Sequence, residues 1–149
     1  MDTQVKAMIG LATYTACADA EFEKEELQTI AGYGMALLGA TEEIKDVDVT
    51  FEKLIETMAG FVDSFDKDAD DYGTYVSNLL RGEAQIITDN NIRILALNFC
   101  MMVAEADEEV EEGELAFLSF IHHVWADMND GWDYSWTEAI EKAFEVRGA

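Results

Sequence analysis

The sequence predicts an all-helical domain, and three observations carry that expectation. The 149 residues contain no proline, so the strongest helix breaker is absent and glycine, asparagine and aspartate supply the punctuation. Apolar residues recur at helical spacing in segment after segment, and no stretch alternates convincingly with a period of two. Half the residues are apolar and 11% are aromatic, enough for one core to form despite a large acidic excess. The expected architecture is a single compact bundle of six or seven helices spanning 1–149.

The elements follow in order. Val5, Met8, Ile9, Ala12 and Ala16 make a one-sided apolar stripe, which predicts a first helix ending near Ala18. Leu27, Ile30, Ala31, Gly34, Leu37 and Leu38 keep the same spacing and predict a second helix that stops around Gly39. Thr41 can cap a short helical turn through Lys45. Thr50 precedes the apolar face of a third helix, Phe51, Leu54, Ile55, Met58 and Phe61 or Val62. The aspartate-rich run from Asp66 to Gly73 predicts a loop, after which Tyr75, Val76, Leu79 and Leu80 begin another amphipathic segment. Asp89 is placed to cap the helix from Asn91 to Ala104, whose sole charge is Arg93 and whose apolar surface runs almost all round, as expected for the centre of the fold. A further helix is expected from about Glu112 to Ala126. Ser135 and Glu138 form a capping box for a last helix over about 135–147 that would close the bundle.

Charge narrows the function. Nine Lys plus Arg against thirty-two Asp plus Glu leave a net charge of −23, a field that repels nucleic acids and anionic membranes and favours metal cations, basic proteins or basic peptides. An acidic, lysine-poor surface is also what a salty cytoplasm selects, with no ligand required. Cys17 and Cys100 each stand in an apolar helical stretch, where a thiol serves as a small hydrophobe, and two such residues make no disulfide framework. The start, MDTQVKAMIG, has neither the apolar core of a secretory signal nor the length of a membrane span, so a cytoplasmic location is expected.

Sliding the chain on itself by 88 residues lays ACADAEFEKEELQTI, Ala16 to Ile30, over AEADEEVEEGELAFL, Ala104 to Leu118. Seven positions are identical: Ala16/Ala104, Ala18/Ala106, Asp19/Asp107, Glu21/Glu109, Glu23/Glu111, Glu26/Glu114 and Leu27/Leu115. Acidic windows share glutamates by chance, so the weight rests on the alanines, the leucines and the common hydrophobic phase. The repeat units are about 5–38 and 93–126. Each is an apolar helix, an aspartate at its end, an acidic connector, and a glutamate seven residues on. Asp19 to Glu26 holds five acids and one lysine, and Glu105 to Glu114 holds seven acids and no base. Charges this dense must be solvated, screened or neutralised.

LATYTACADAEFEKEELQTI and ALNFCMMVAEADEEVEEGELAFL resemble the two repeats of the TerB family of tellurite-resistance proteins, in which an apolar helix runs into A-D-G with a glutamate six or seven residues later. FEKLIETMAGFVDSFD is similar to that family's middle helix. The likeness covers roughly Val5 to Ala126. It implies an all-helical domain with internal pseudo-twofold symmetry, a link to tellurite and other chemical stress, and metal held at acidic positions that match Asp19, Glu25 or Glu26, Asp107 and Glu114 here. The glycine after each aspartate is replaced by Ala20 and Glu108, so the connector backbone turns left-handed less easily around an ion.

Two readings of these carboxylates stand side by side. As ligands they suit calcium or magnesium better than zinc, because hard cations select carboxylate oxygens. As structural groups they cap helices and complement helix dipoles. Asp66, Asp68 and Asp70 reproduce the first half of a calcium loop, but Asp71 stands in place of the turn glycine and Ser77 in place of the closing glutamate, so a solvated loop is expected. A zinc site using His122 or His123 lacks cysteine partners, and the repeat offset sets His122 opposite Gly34 on the core stripe, the place of a core histidine. The methionines, Met101 and Met102 among them, fit core filling. Trp125, Trp132, Tyr134 and Trp136 either seat the last helix on the body or form a docking patch, seating being the commoner use. No nucleophile–base pair, phosphate cradle or metalloprotease helix is present, so no enzyme is expected. The expectation is a stress-response module that binds divalent cations and scaffolds other stress-response proteins. The alternative is a metal-independent acidic adaptor, or a decoy imitating DNA, for a basic protein.

Overall fold

The computed structural model describes residues 2–17, 26–39, 49–105, 112–128 and 132, with the backbone alone at 39, 104, 105 and 112–118. Six α-helices and no strand occur among them: α1 (Thr3–Cys17), α2 (Leu27–Gly39), α3 (Phe51–Ser64), α4 (Tyr72–Ile86), α5 (Asn90–Glu105) and α6 (Glu112–Asp127). The all-helical bundle expected from the periodicity is therefore the fold. The expected turn over 41–45 and the closing helix over 135–147 lie outside the described residues.

Side-chain caps set several of the starts. Asp2 Oδ1 accepts from the N–H groups of Gln4 at 2.8 Å and Val5 at 3.3 Å. Thr50 Oγ1 accepts from Lys53 N at 3.2 Å, and Asp89 Oδ1 accepts from Asn91 N at 2.8 Å, the cap that the sequence suggested for Asp89. α4 begins earlier than the composition of its loop implies. Asp71 adopts the left-handed region (φ 50°, ψ 63°) and reverses the chain, so the helix starts at Tyr72 and absorbs Gly73 into its first turn.

The centre of the bundle is shared differently from what the apolar counts suggest. α1 packs on α3, α4 and α5, and every residue from Val5 to Cys17 except Lys6 is buried. Two of those residues are threonines, which a hydropathy stripe scores as surface. Thr13 Oγ1 donates to Ile9 O and Thr15 Oγ1 to Leu11 O, both at 2.8 Å, so each hydroxyl is satisfied inside its own helix and can be buried without loss. α5 is the second enclosed rod.

The two rods run in the same direction. Near their starts, Gln4 Oε1 accepts from Thr88 N and Asp89 N at 3.0 and 2.9 Å, and eleven residues further along each chain Thr15 Oγ1 meets Cys100 Sγ at 3.7 Å. α3 is parallel to them, since Gly10 abuts Phe61 and Tyr14 reaches Ser64. α4 and α6 run back the other way. Tyr72 at the start of α4 touches Cys17 at the end of α1, while Trp125 near the end of α6 donates from Nε1 to Ala84 O at 2.8 Å, near the end of α4.

Candidate functional site

The parallel rods bring the C-terminal ends of α1, α3 and α5 to one end of the molecule. Cys17 ends α1, Ser64 ends α3 and Glu105 ends α5, and all three helices point the same way. From these ends the chain enters three acid-rich stretches: Asp19 to Glu26 with five acids, Asp66 to Asp71 with four, and Glu105 to Glu114 with seven. Half of the thirty-two acids therefore belong to segments that leave or return at one end of the bundle, against two lysines, Lys24 and Lys67. No basic residue occupies the last turn of α1, α3 or α5 to offset the negative end of its dipole.

Of the carboxylates singled out by the repeat, Glu26 is half-buried immediately before α2. Asp19, Glu25 and Asp107 lie outside the described residues, and Glu114 is placed by its backbone, in the first turn of α6. The stretch between α3 and α4 is described in full, and its carboxylates are engaged locally. Asp66 Oδ1 accepts from Asp68 N at 3.0 Å, and Asp71 Oδ2 accepts from Thr74 Oγ1 at 2.9 Å. Asp66, Asp68 and Asp70 remain exposed, the solvated loop that the missing glycine and glutamate implied. Among the described residues no group of three His, Cys, Asp or Glu side chains is arranged to hold a metal ion.

An aromatic floor fixes this loop to the bundle, and no local pattern in the sequence signals it. Phe65 packs against Tyr14, Tyr72 and Tyr75 with ring centroids 6.2, 6.0 and 5.5 Å apart. The Tyr75 hydroxyl accepts from Asp66 N at 2.8 Å and lies 3.4 Å from Ser64 O, while the Tyr72 hydroxyl donates to Cys17 O at 3.4 Å. Each phenol is apolar toward the core and polar toward the chain, so acidic residues are held close to buried ones. Burial pushes the Cys17 thiol up to about 11, with Lys67 opposing the shift, and the fully enclosed Cys100 up to about 12. Neither is a nucleophile near neutrality.

A second concavity lies on the flank. Lys6 and Tyr14 of α1 face Glu56, Phe61 and Ser64 of α3 across an open cleft of about 480 Å³, while Gly10, on the same i, i+4, i+8 stripe, is packed against Phe61. A Cβ on Gly10 would stand 2.8 Å from Phe61 Cζ and 3.2 Å from Glu83 Cδ, so the missing side chain is what lets the ring and the carboxyl approach α1. Burial raises the pKa of Glu83, with Lys6 acting against the shift, and burial likewise raises that of Tyr14.

At the end opposite the acidic stretches, charge and aromatic rings are enclosed together. Arg93 is fully buried; its Nε donates to Ile87 O and its Nη1 to Asn90 Oδ1, both at 3.0 Å, and its guanidinium lies 5.5 Å from the Trp125 ring and 5.7 Å from that of Trp132. His122 is a core residue, as its position on the stripe implied, and Trp132 Nε1 donates to its Nδ1 at 2.7 Å. Trp132 is thus seated on the body.

The class these features define is an acidic all-helical bundle in which no helix of the described residues is long and apolar enough to cross a membrane. No family model, curated protein or solved structure matches the chain.

Proposed function

We propose that the protein is a cytoplasmic, non-enzymatic module that gathers divalent cations, calcium or magnesium before zinc, at its acidic end and presents that end to partner proteins. The observation that supports this most is the parallel alignment of α1 and α5, fixed by Gln4 against Thr88 and Asp89 and by Thr15 against Cys100. It sets the ends that lead into the two matching acidic connectors on the same side of the molecule. Asp19 and Glu25 or Glu26 from one connector, with Asp107 and Glu114 from the other, are the proposed ligands. Cations there would relieve like-charge repulsion and tighten both hairpins, coupling ion level to the shape of a partner-binding face. The resemblance to TerB repeats supports a role in the response to tellurite or other chemical stress, with stress-response proteins as partners.

Calorimetric titration of metal-stripped protein tests this reading. Saturable binding of calcium or magnesium that is lost in the Asp19→Asn, Asp107→Asn double variant is the expected result. Thermal midpoints that stay fixed in excess calcium, magnesium, manganese and zinc at constant ionic strength would remove the metal role.

One observation favours a second reading. In the fully described acidic loop the carboxylates face solvent or bind their own backbone and hydroxyl neighbours, an arrangement suited to diffuse attraction of a basic protein. Capture of a basic partner that weakens with salt and ignores chelators would support that alternative.

A further inference from the structure

We propose that the cleft between α1 and α3 binds a free α-amino acid with an apolar or aromatic side chain, its ammonium held by Glu56 and its carboxylate by Lys6. The inference is independent of the cation reading and concerns the flank of the bundle.

The site follows from the register of the two helices. α1 and α3 run in parallel, with Gly10 against Phe61 and Tyr14 against Ser64. One helical turn back from the first pair stand Lys6 on α1 and residues 56–57 on α3, so Lys6 and Glu56 come to the same level on opposite walls of the cleft. Both are exposed, and among the described residues neither side chain has an ion-pair or hydrogen-bond partner. Glu83, from α4, attracts Lys6 without holding it: the two form no ion pair, and burial raises the pKa of Glu83 in spite of the ammonium. One cleft therefore offers a cation on one wall and an anion on the other. The complementary molecule carries a carboxylate and an ammonium close together, which is the head of an α-amino acid.

The rest of the cleft suits the side chain. From the charged level it runs past Gly60 and the rings of Phe61 and Tyr14, which stand edge to face with centroids 5.3 Å apart. Its volume of about 480 Å³ lies within the roughly 300–1,000 Å³ of small-molecule sites. Gly60 keeps the wall open, since a Cβ built there meets nothing within 4 Å among the described residues.

Charge selects in the same direction. A net charge of −23 turns away simple carboxylates, and Lys6 opposes a diamine inside the cleft. An α-amino acid is neutral overall and supplies a partner to each wall.

Amide NMR of the intact protein titrated with L-leucine and L-phenylalanine tests the proposal. Saturable shifts at Gly60 and Phe61 are expected, with N-acetyl-leucine and leucinamide, each lacking one of the two charges, binding at least about tenfold more weakly. Lys6→Gln and Glu56→Gln, both at exposed positions, are expected to weaken leucine by a similar factor. Gly60→Leu, whose side chain enters the cleft and not the core, is expected to abolish binding while far-ultraviolet circular dichroism keeps its helical form. No saturable shift with either amino acid overturns the site, as does N-acetyl-leucine, leucinamide or putrescine binding as tightly as leucine. Leucine binding that survives the three substitutions overturns it as well.

Discussion

Glycine-to-alanine substitutions in three helices provide a test of the packing in which the chemical change is constant and only the surroundings differ. In a helix interior this change is worth about 1 kcal/mol in favour of alanine, wherever the added methyl meets nothing. Gly60 in α3 and Gly82 in α4 have no atom within 4 Å of a built Cβ, so both substitutions are expected to stabilise by about that amount. Gly34 in α2 differs. Its Cβ would stand 2.9 Å from Phe99 Cε2 and Cζ and 3.1 Å from Leu54 Cδ2, and both side chains are fully buried. Forcing a methyl into such a site costs about 1–3 kcal/mol. Because the propensity gain is common to all three, the informative quantity is the difference between sites. Gly34→Ala should be less stable than Gly60→Ala by about 1–3 kcal/mol, which at about 2–4 °C per kcal/mol separates the melting midpoints by several degrees. Urea denaturation followed by circular dichroism measures it. Equal stability of the Gly34 and Gly60 variants would mean that α2 does not lie on Phe99 and Leu54 as described.

Two further outcomes concern ionisable groups. Burial raises the pKa of Glu83, so its ionised form is disfavoured in the folded chain; the stabilising contribution is present below the ordinary carboxyl range and is lost as pH rises through the shifted value. Glu83→Gln should therefore raise the unfolding midpoint at pH 7, and the gain should shrink as pH falls into the ordinary carboxyl range. With thiols pushed up to about 11 and about 12, Cys17 and Cys100 should react with a disulfide reagent at pH 8 far more slowly than free cysteine, Cys17 first. Rapid labelling of Cys100 in the folded protein would contradict its enclosure between α1 and α5.

What was legible in the sequence was local, and what escaped was directional. Thr50 and Asp89 announce helix starts because a cap acts on residues two or three positions away. His122 could be placed in the core by its phase on a stripe. Thr13 and Thr15 fall outside the apolar stripe yet are buried, because their hydroxyls bond carbonyls of their own helix. Asp71 misled because its left-handed backbone ends the loop sooner than a count of aspartates suggests. The parallel course of α1 and α5, and with it the meeting of their C-terminal ends on one side, depends on contacts some 85 positions apart, such as Gln4 with Asp89. The enclosure of Arg93 by Trp125 and Trp132 likewise joins residues more than thirty positions apart. Periodicity tells which face of a helix is buried, but not which neighbour buries it.

The acidic end has a structural explanation that competes with the ligand reading, and the sign of one measurement separates them. Several of its acids precede α2, α4 or α6, where a helix N-terminus favours negative charge and a carboxylate removed would cost about 0.3–1 kcal/mol. If that is their whole role, Asp19→Asn and Asp107→Asn destabilise the protein by a similar amount with or without ions. If the ligand reading holds, mutual repulsion outweighs the dipole in the metal-free chain, since sixteen acids and two lysines share these segments and the last turns of α1, α3 and α5 carry no base. The double variant is then more stable than the wild type after chelation and less stable in excess calcium or magnesium, so the two stability curves cross as ion is added. Monovalent salt at matched ionic strength would raise both midpoints without a crossing, because screening acts on every surface carboxylate and recognises no pair.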